Sequence, residues 1–230
     1  MAQKVKPNAF RLGITLPWSS RWFFKPSLKF FVEEDYLIRD IVKKKLSQAG
    51  VVSVDIERTG DRVRVNICSS RPGLVIGRGG EGVETLRRAI MTAMQKLRRE
   101  KKIPTKFTLG VNIEELKRTE VSAAVTAQQI VADIEKRQPY RRIMKRQMET
   151  VMQNREAKGV KIRLAGRLNG AEISRREWLA KGRMPLQTLR ANIDYAEDSA
   201  HCSYGVIGIK VWIYKGDIFE KEAQTNQERS

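Results

Sequence analysis

Four residues, Gly77-Arg78-Gly79-Gly80, open a long amphipathic stretch and have the chemistry of phosphate capture. Gly77, Gly79 and Gly80 lack a Cβ, so the turn can take positive φ and let a ligand approach the main chain. Arg78 adds a cation. The stretch that follows repeats apolar residues at three- and four-residue steps (Val83, Leu86, Ala89, Ile90, Ala93, Met94, Leu97), which predicts a helix with one buried stripe. Its other face is expected to expose Arg87, Arg88, Lys96, Arg98 and Arg99. Unpaired N–H groups at the start of such a helix carry partial positive charge, so turn and helix together form a seat for an anion. Gly77, Gly79 and Gly82 also spell the dinucleotide-binding fingerprint G-x-G-x-x-G. That fingerprint needs a full buried strand before its first glycine, and here Pro72-Gly73 leaves only Leu74, Val75 and Ile76. No G-K-[ST] follows any of these glycines, and no cofactor is expected.

A second constellation lies between residues 136 and 183, where 15 basic residues face only 4 acidic ones. At ~100° per residue, Ile143, Met144, Met148 and Val151 fall on one side of a helix, with Arg141, Arg142, Lys145 and Arg146 opposite. Such a helix is anchored by its apolar side and presents a row of cations. Further on, Arg167, Arg175, Arg176 and Arg183 punctuate what reads as a loop. At the other end of the chain, residues 1–15 carry Lys4, Lys6 and Arg11 with no acid, and read as an extended basic tail that threads along phosphates. All seventeen candidate contacts, Gly77, Arg78, Gly79, Gly80, Arg87 and Arg88 among them, belong to RNA-binding chemistry.

Composition points the same way. In 230 residues, Lys and Arg number 45 against 26 Asp and Glu, a net charge of +19, and a polyanionic partner is the physical reason to tolerate that self-repulsion. Apolar runs fall far short of the ~20 residues a membrane-spanning helix needs. Cys68 and Cys202 are isolated and His201 is the single histidine, which excludes a zinc knuckle and suits a reducing compartment. The start of the chain lacks the apolar core of a signal peptide. Neither clustered carboxylates at metal-ligand spacing nor a nucleophile with an evident base is present, which argues against a nuclease or an oxidoreductase.

The elements that must hold these groups read as follows. Residues 16–34 are rich in Trp and Phe and are expected to fold back onto the first domain. A helix over 35–49 has Asp35 as its N-cap and Gly50 as its stop. Val52, Val54 and Ile56, then Val63, Val65 and Ile67, alternate as two strands around Thr59-Gly60-Asp61. The glycine turn and its helix come next, then a third strand through Phe107, Leu109, Val111 and Ile113. After a polar boundary at 114–119 follow two helices, strands through Val160–Leu164 and from Ile193, and a last strand through Ile207 to Ile213.

The first order, with G-x-x-G between the second strand and the long helix, resembles the type-two KH domain, whose loop clamps about four backbone nucleotides. Gln3-Lys4-Val5-Lys6-Pro7, Phe10-Arg11-Leu12-Gly13-Ile14 and the stretch from Arg71-Pro72-Gly73 to Gly80 resemble the bacterial small-subunit ribosomal protein S-three family. Ala165-Gly166-Arg167-Leu168-Asn169-Gly170, Pro185-Leu186-Gln187-Thr188-Leu189-Arg190-Ala191 and Tyr204-Gly205-Val206-Ile207-Gly208 resemble the C-terminal domain of that family, so the likeness covers nearly the whole chain. One departure is that the two middle positions of the turn, usually both basic, are Arg78 and Gly79 here.

The resemblance implies an α+β fold: a KH type-two domain, helices on one face of a three-stranded sheet, over 16–116, and an α/β sandwich of two helices on a mostly antiparallel sheet over 117–215. A basic tail, 1–15, and a disordered one, 216–230, flank them. It further implies a non-enzymatic protein of the cytoplasmic ribosome, in the head of the small subunit. Its partners would be ribosomal RNA and proteins S-ten and S-fourteen, with S-four and S-five near where messenger RNA enters. Residues matching Arg141, Arg142 and Lys145 would help separate messenger duplexes. The alternative is a free-standing KH-containing RNA-binding regulator.

Overall fold

The structure is a computed structural model and describes residues 5–22, 28–47, 49–101, 107–117 and 120–219. In chain order its elements are α1 (Pro7–Arg11), β1 (Ser20–Trp22), α2 (Leu28–Lys45), β2 (Val51–Thr59), β3 (Arg62–Ser69), α3 (Pro72–Ile76), α4 (Glu81–Glu100) and β4 (Thr108–Glu115). Then come α5 (Ala123–Glu135), α6 (Tyr140–Met152), β5 (Gly159–Gly166), β6 (Arg175–Gly182), β7 (Ala191–Cys202) and β8 (Gly205–Asp217). Contacts divide the chain into two units, one of Trp18–Lys117 and one that joins Met1–Pro17 to Arg118–Ser230.

The first unit is a sheet in the order β1-β2-β3-β4, with β2 and β3 antiparallel and both outer pairs parallel. Ile56, Val65 and Ile67 point to one face, where Ile38 and Val42 of α2 and Leu86, Ile90 and Met94 of α4 cover them. Burying each such side chain is worth ~1.5–3 kcal/mol, so this layer holds the unit together. The sheet has four strands instead of the expected three. The extra one is Ser20–Trp22, paired with Ile56, Glu57 and Arg58, and a three-residue strand is too short to show a period in a segment dominated by aromatics. Trp22 folds back as expected, donating to Asp35 at 3.2 Å and lying edge-on to Phe31, whereas Phe23, Phe24 and Pro26 lie outside the described residues.

Asp35 is not an N-cap, because α2 starts at Leu28 and carries Asp35 and Glu34 into the interior. Arg58 donates to Asp35 (Nε, 3.1 Å) and to Glu34 (2.5 Å), while Arg98 donates to both Glu34 oxygens at 2.6 and 3.1 Å. Phe31 and Phe107 lie under the two guanidiniums at 4.9 and 4.4 Å. Arg98, expected on the exposed face of α4, is therefore buried: the apolar stripe rotates over twenty residues, and its last position meets a carboxylate instead of a hydrocarbon.

The second unit is an antiparallel sheet in the order β6-β5-β8-β7. Val160, Ile162 and Leu164 of β5 and Ile207, Ile209, Val211 and Ile213 of β8 face α5 and α6 in one core. Asp194 accepts from the Ala123 N–H at 2.8 Å, so a strand residue caps the start of α5. On the opposite face, Ile193, Tyr195, Trp212 and Tyr214 pack with Met184 and Leu186.

Two segments differ from the sequence reading here. The expected loop contains a strand, β6, because Glu177 and Leu179 turn to the helices while Arg176, Trp178 and Ala180 take the other face, a period that scattered charges disguise. The expected extended tail contains α1, packed on this unit through Arg11. β8 runs through Asp217, and residues 220–230 of the expected disordered tail lie outside the described residues.

Candidate nucleic-acid interface

The glycine turn is built by two helices meeting at a sharp corner. Gly77 ends α3 by donating its N–H to the Gly73 carbonyl at 3.0 Å, and Gly77, Gly79 and Gly80 take φ of +71°, +58° and +82°. An L side chain at such φ costs ~1–2 kcal/mol, so the backbone favours glycine at all three positions. A Cβ added at Gly79 or Gly80 would meet nothing within 4 Å, so both positions open outward. Gly82 is different: a Cβ there would lie 2.5 Å from the Val75 carbonyl oxygen, so this glycine lets α4 pass close to α3. The glycine at 82 thus has a packing reason, and no strand leads into Gly77 as a dinucleotide site would need.

The turn forms one wall of a groove of about 390 Å³, completed by Lys45 at the end of α2, Leu46 just after it, Leu74 of α3 and Thr85 of α4. Arg78 is exposed at its lip. Gly80 has no side chain to cap the start of α4, and the first N–H of the helix, that of Glu81, donates to the Arg78 carbonyl and closes the turn. Glu81 and Glu84 in the first turn of α4 oppose an incoming anion, although Glu84 lies 3.9 Å from both Arg87 and Arg88, which offset it.

Helix α6 turns Ile143, Met144 and Val151 inward and leaves Arg141, Arg142, Lys145 and Arg146 exposed, as the face arithmetic predicts. The row is not uniform. Arg141 donates to Glu177 of β6 at 3.1 and 3.3 Å, and the Tyr140 hydroxyl donates to the same carboxylate at 2.7 Å. Those bonds, chiefly from Arg141, hold the Glu177 carboxyl below the usual carboxylate range. Arg146 is paired with Asp133 of α5. Arg142 and Lys145 make no ion pair among the described residues, so they are the two cations of the row ready to meet a phosphate at once.

The remaining candidates separate by partner. Arg11 is 1% exposed and spends its donors on the carbonyls of Ala191 (2.7 Å), Thr188 (2.8 Å), Pro7 and Leu186 (both 3.1 Å). Burial pushes its pKa down, and it ties α1 to the start of β7, so it cannot reach a phosphate while the unit is folded. Lys6, exposed on the same segment, pairs with Glu197, and Lys4 lies outside the described residues. Arg167 is half-buried and donates to the carbonyls of Ala171 and Tyr204 at 3.0 and 3.2 Å, closing the loop after β5. Arg175, Arg176 and Arg183 are exposed.

A glycine turn at the head of a long helix and a separate cationic helix on an antiparallel sheet are two arrangements whose chemistry suits a phosphate chain. Residues 37–121 match the KH domain family, and residues 130–213 match the family described as ribosomal protein S3, C-terminal domain. Three relatives carry the name small ribosomal subunit protein uS3. That of Caldicellulosiruptor bescii is 45% identical over 99% of this chain and 98% of its own. Those of Oleidesulfovibrio alaskensis (47%; 97% of this chain, 100% of its own) and Desulfovibrio desulfuricans (48%; 96% and 99%) are similar. The chain belongs to the uS3 family of small-subunit ribosomal proteins. A uS3 protein is a structural, RNA-binding component of the ribosome that takes part in translation.

Within this uS3 chain, the sequence reading passed over Lys161, Arg163, Trp178 and Lys210, which share the sheet face away from the helices. The signal was present: Lys161 and Arg163 alternate with the apolar Val160, Ile162 and Leu164, and alternation places them together on the other face.

Proposed function

We propose that this chain is a structural constituent of the small-subunit head in the bacterial cytoplasm, binding ribosomal RNA and lining the channel by which messenger RNA enters. In this reading it neighbours S-ten and S-fourteen, with S-four and S-five close to the messenger's path, and it assists duplex separation without consuming a nucleotide. The observation that carries the reading is α6, whose buried face fixes four outward cations on a rigid helix. Opening a base pair takes on the order of 1–2 kcal/mol per step. Charge-assisted hydrogen bonds of ~1.5–3 kcal/mol each, before desolvation, are of the size needed to bias that opening while translocation moves the RNA.

Arg142 and Lys145 are ready to act at once, whereas Arg141 must exchange Glu177 for phosphate, which sets an order of engagement. Gly77, Arg78, Gly79 and Gly80, with Arg87 and Arg88, serve as the ribosomal RNA clamp of the KH unit. Replacing Arg141, Arg142 and Lys145 with Ala is expected to leave incorporation into subunits intact and to slow translation on messages with stable hairpins only. Equal slowing on unstructured messages, or loss of the protein from subunits, would make α6 an assembly contact.

A further inference from the structure

We propose that the open face of the second sheet, centred on Trp178, is a separate surface for single-stranded RNA, where a base stacks on the indole and cations on neighbouring strands hold its phosphates. The proposal rests on the chain being an RNA-binding protein, and it concerns the side of the sheet opposite α6. Strand register assembles the surface. Trp178 of β6 stands beside Arg163 of β5, which stands beside Lys210 of β8; the next row toward one end is Arg176, Ala165 and Gly208, and toward the other Ala180, Lys161 and Trp212. Adjacent strands lie ~4.8 Å apart, so the rows adjoin; Trp212 is buried in the cluster with Met184 and Leu186, and the open part of the face is the Trp178 side of it.

Three features make this patch more than a solvated sheet face. Trp178 is 59% exposed, although indole is among the side chains that bury most readily when packing partners exist. Its orientation is fixed, because the Lys161 ammonium lies 4.9 Å from its ring centre and 5.7 Å from that of Trp212. Ala165 on the neighbouring strand and Ala180 on its own flank it with small side chains, which leaves room for a planar ring to lie flat on the indole.

Charge selects the occupant. Arg163, Lys161, Arg176 and Lys210 share this face with Glu197, whose carboxylate already takes Lys6 and Lys210. An exposed aromatic ringed by cations on a sheet is the physical arrangement by which proteins hold unpaired nucleotides, since every base has a π-face and every nucleotide a phosphate. A duplex hides its bases, so the occupant is a single strand.

The test uses the full-length protein and a ten-nucleotide uridine RNA carrying 5-iodouridine. After irradiation, a crosslink is expected in the peptide holding Trp178, separate from any in the glycine turn. In equilibrium binding, Trp178→Ala is expected to weaken affinity by ~5-fold or more, Trp178→Phe to retain most of it, and Arg163→Ala to reduce the salt dependence by one contact's share. Crosslinks confined to residues 77–88 and α6 would overturn this surface while leaving the clamp intact. Equal loss in Trp178→Ala and Trp178→Phe would overturn it as well, since stacking predicts a difference. Unchanged RNA affinity with poorer incorporation of Trp178→Ala into subunits would show a protein contact and end the proposal.

Discussion

As proposed, the KH unit and the second unit meet a polyanion by opposite means. In the first, the glycine turn offers backbone: three glycines at positive φ, two of them open to solvent space, and one arginine at the lip. In the second, α6 offers side chains alone, and its backbone is an ordinary helix held by apolar packing. A backbone site depends on the fold's geometry and tolerates little substitution, whereas a side-chain site is a sum of cations that can be removed one at a time. Fold integrity and RNA binding are therefore coupled in the first unit and separable in the second.

The largest effect expected from this contrast comes from Glu34, which lies on α2 in the interior of the KH unit and anchors Arg58 and Arg98 while 1% exposed. Glu34→Ala leaves two buried guanidiniums short of a carboxylate and should destabilise the unit by ~3–5 kcal/mol. Urea unfolding followed by Trp22 fluorescence measures it, and a change below ~1 kcal/mol would mean that the cluster relaxes into water.

Next, Gly79→Asp with Gly80→Asp should abolish RNA binding by the KH unit. Binding should not be the only loss, since each residue must hold positive φ at ~1–2 kcal/mol. Gly79→Asn, which tolerates left-handed backbone and adds no charge, should keep both fold and most binding. If Asn is as damaging as Asp, space and not charge governs the turn.

A smaller effect separates the cations of α6. Log affinity for single-stranded RNA should fall linearly with log salt at ~0.7 per phosphate neutralised. Arg142→Ala or Lys145→Ala should lower that slope by a full contact, and Arg146→Ala by less, because Arg146 is engaged with Asp133. Identical slopes for the three variants would mean that the pairing with Asp133 opens on binding.

The smallest effect is in pH. Hydrogen bonding from Lys6 leads the causes that bring the Glu197 carboxyl down to about 2, against 4.5 for the unperturbed group. A depressed folded-state value means that the contact stabilises above the unfolded value and is lost as pH falls through the folded one. Protection of the α1 amides against hydrogen exchange, taken relative to the intrinsic rate at each pH, should therefore be high at pH 5 and fall between about pH 4 and pH 2. Lys6→Met should lower that protection already at pH 5.

Periodicity made much of this legible in advance. The two faces of α6, the stripe of α4, the strands β2, β3, β4, β5 and β8 and the corner at Gly77 to Gly80 all follow from local spacing, because a helix or strand turns its side chains at a fixed angle whatever lies around it. Shorter or aperiodic pieces escaped: β1 has three residues, α1 has five, and β6 hides its alternation among charges.

What only the tertiary structure decided is the fate of each cation. Arg11, Arg58, Arg98 and Arg167 look in sequence like Arg88 or Arg142, members of a basic surplus of +19. Yet Arg11 finds its carbonyls around residue 190, and Arg98 finds Glu34 from the far end of another helix. A guanidinium has five donors and no local preference for where they point. Whether it holds the fold or faces RNA depends on which acceptors the folded chain brings within about 3 Å, and that is a property of contacts between distant residues, which spacing along the chain does not carry.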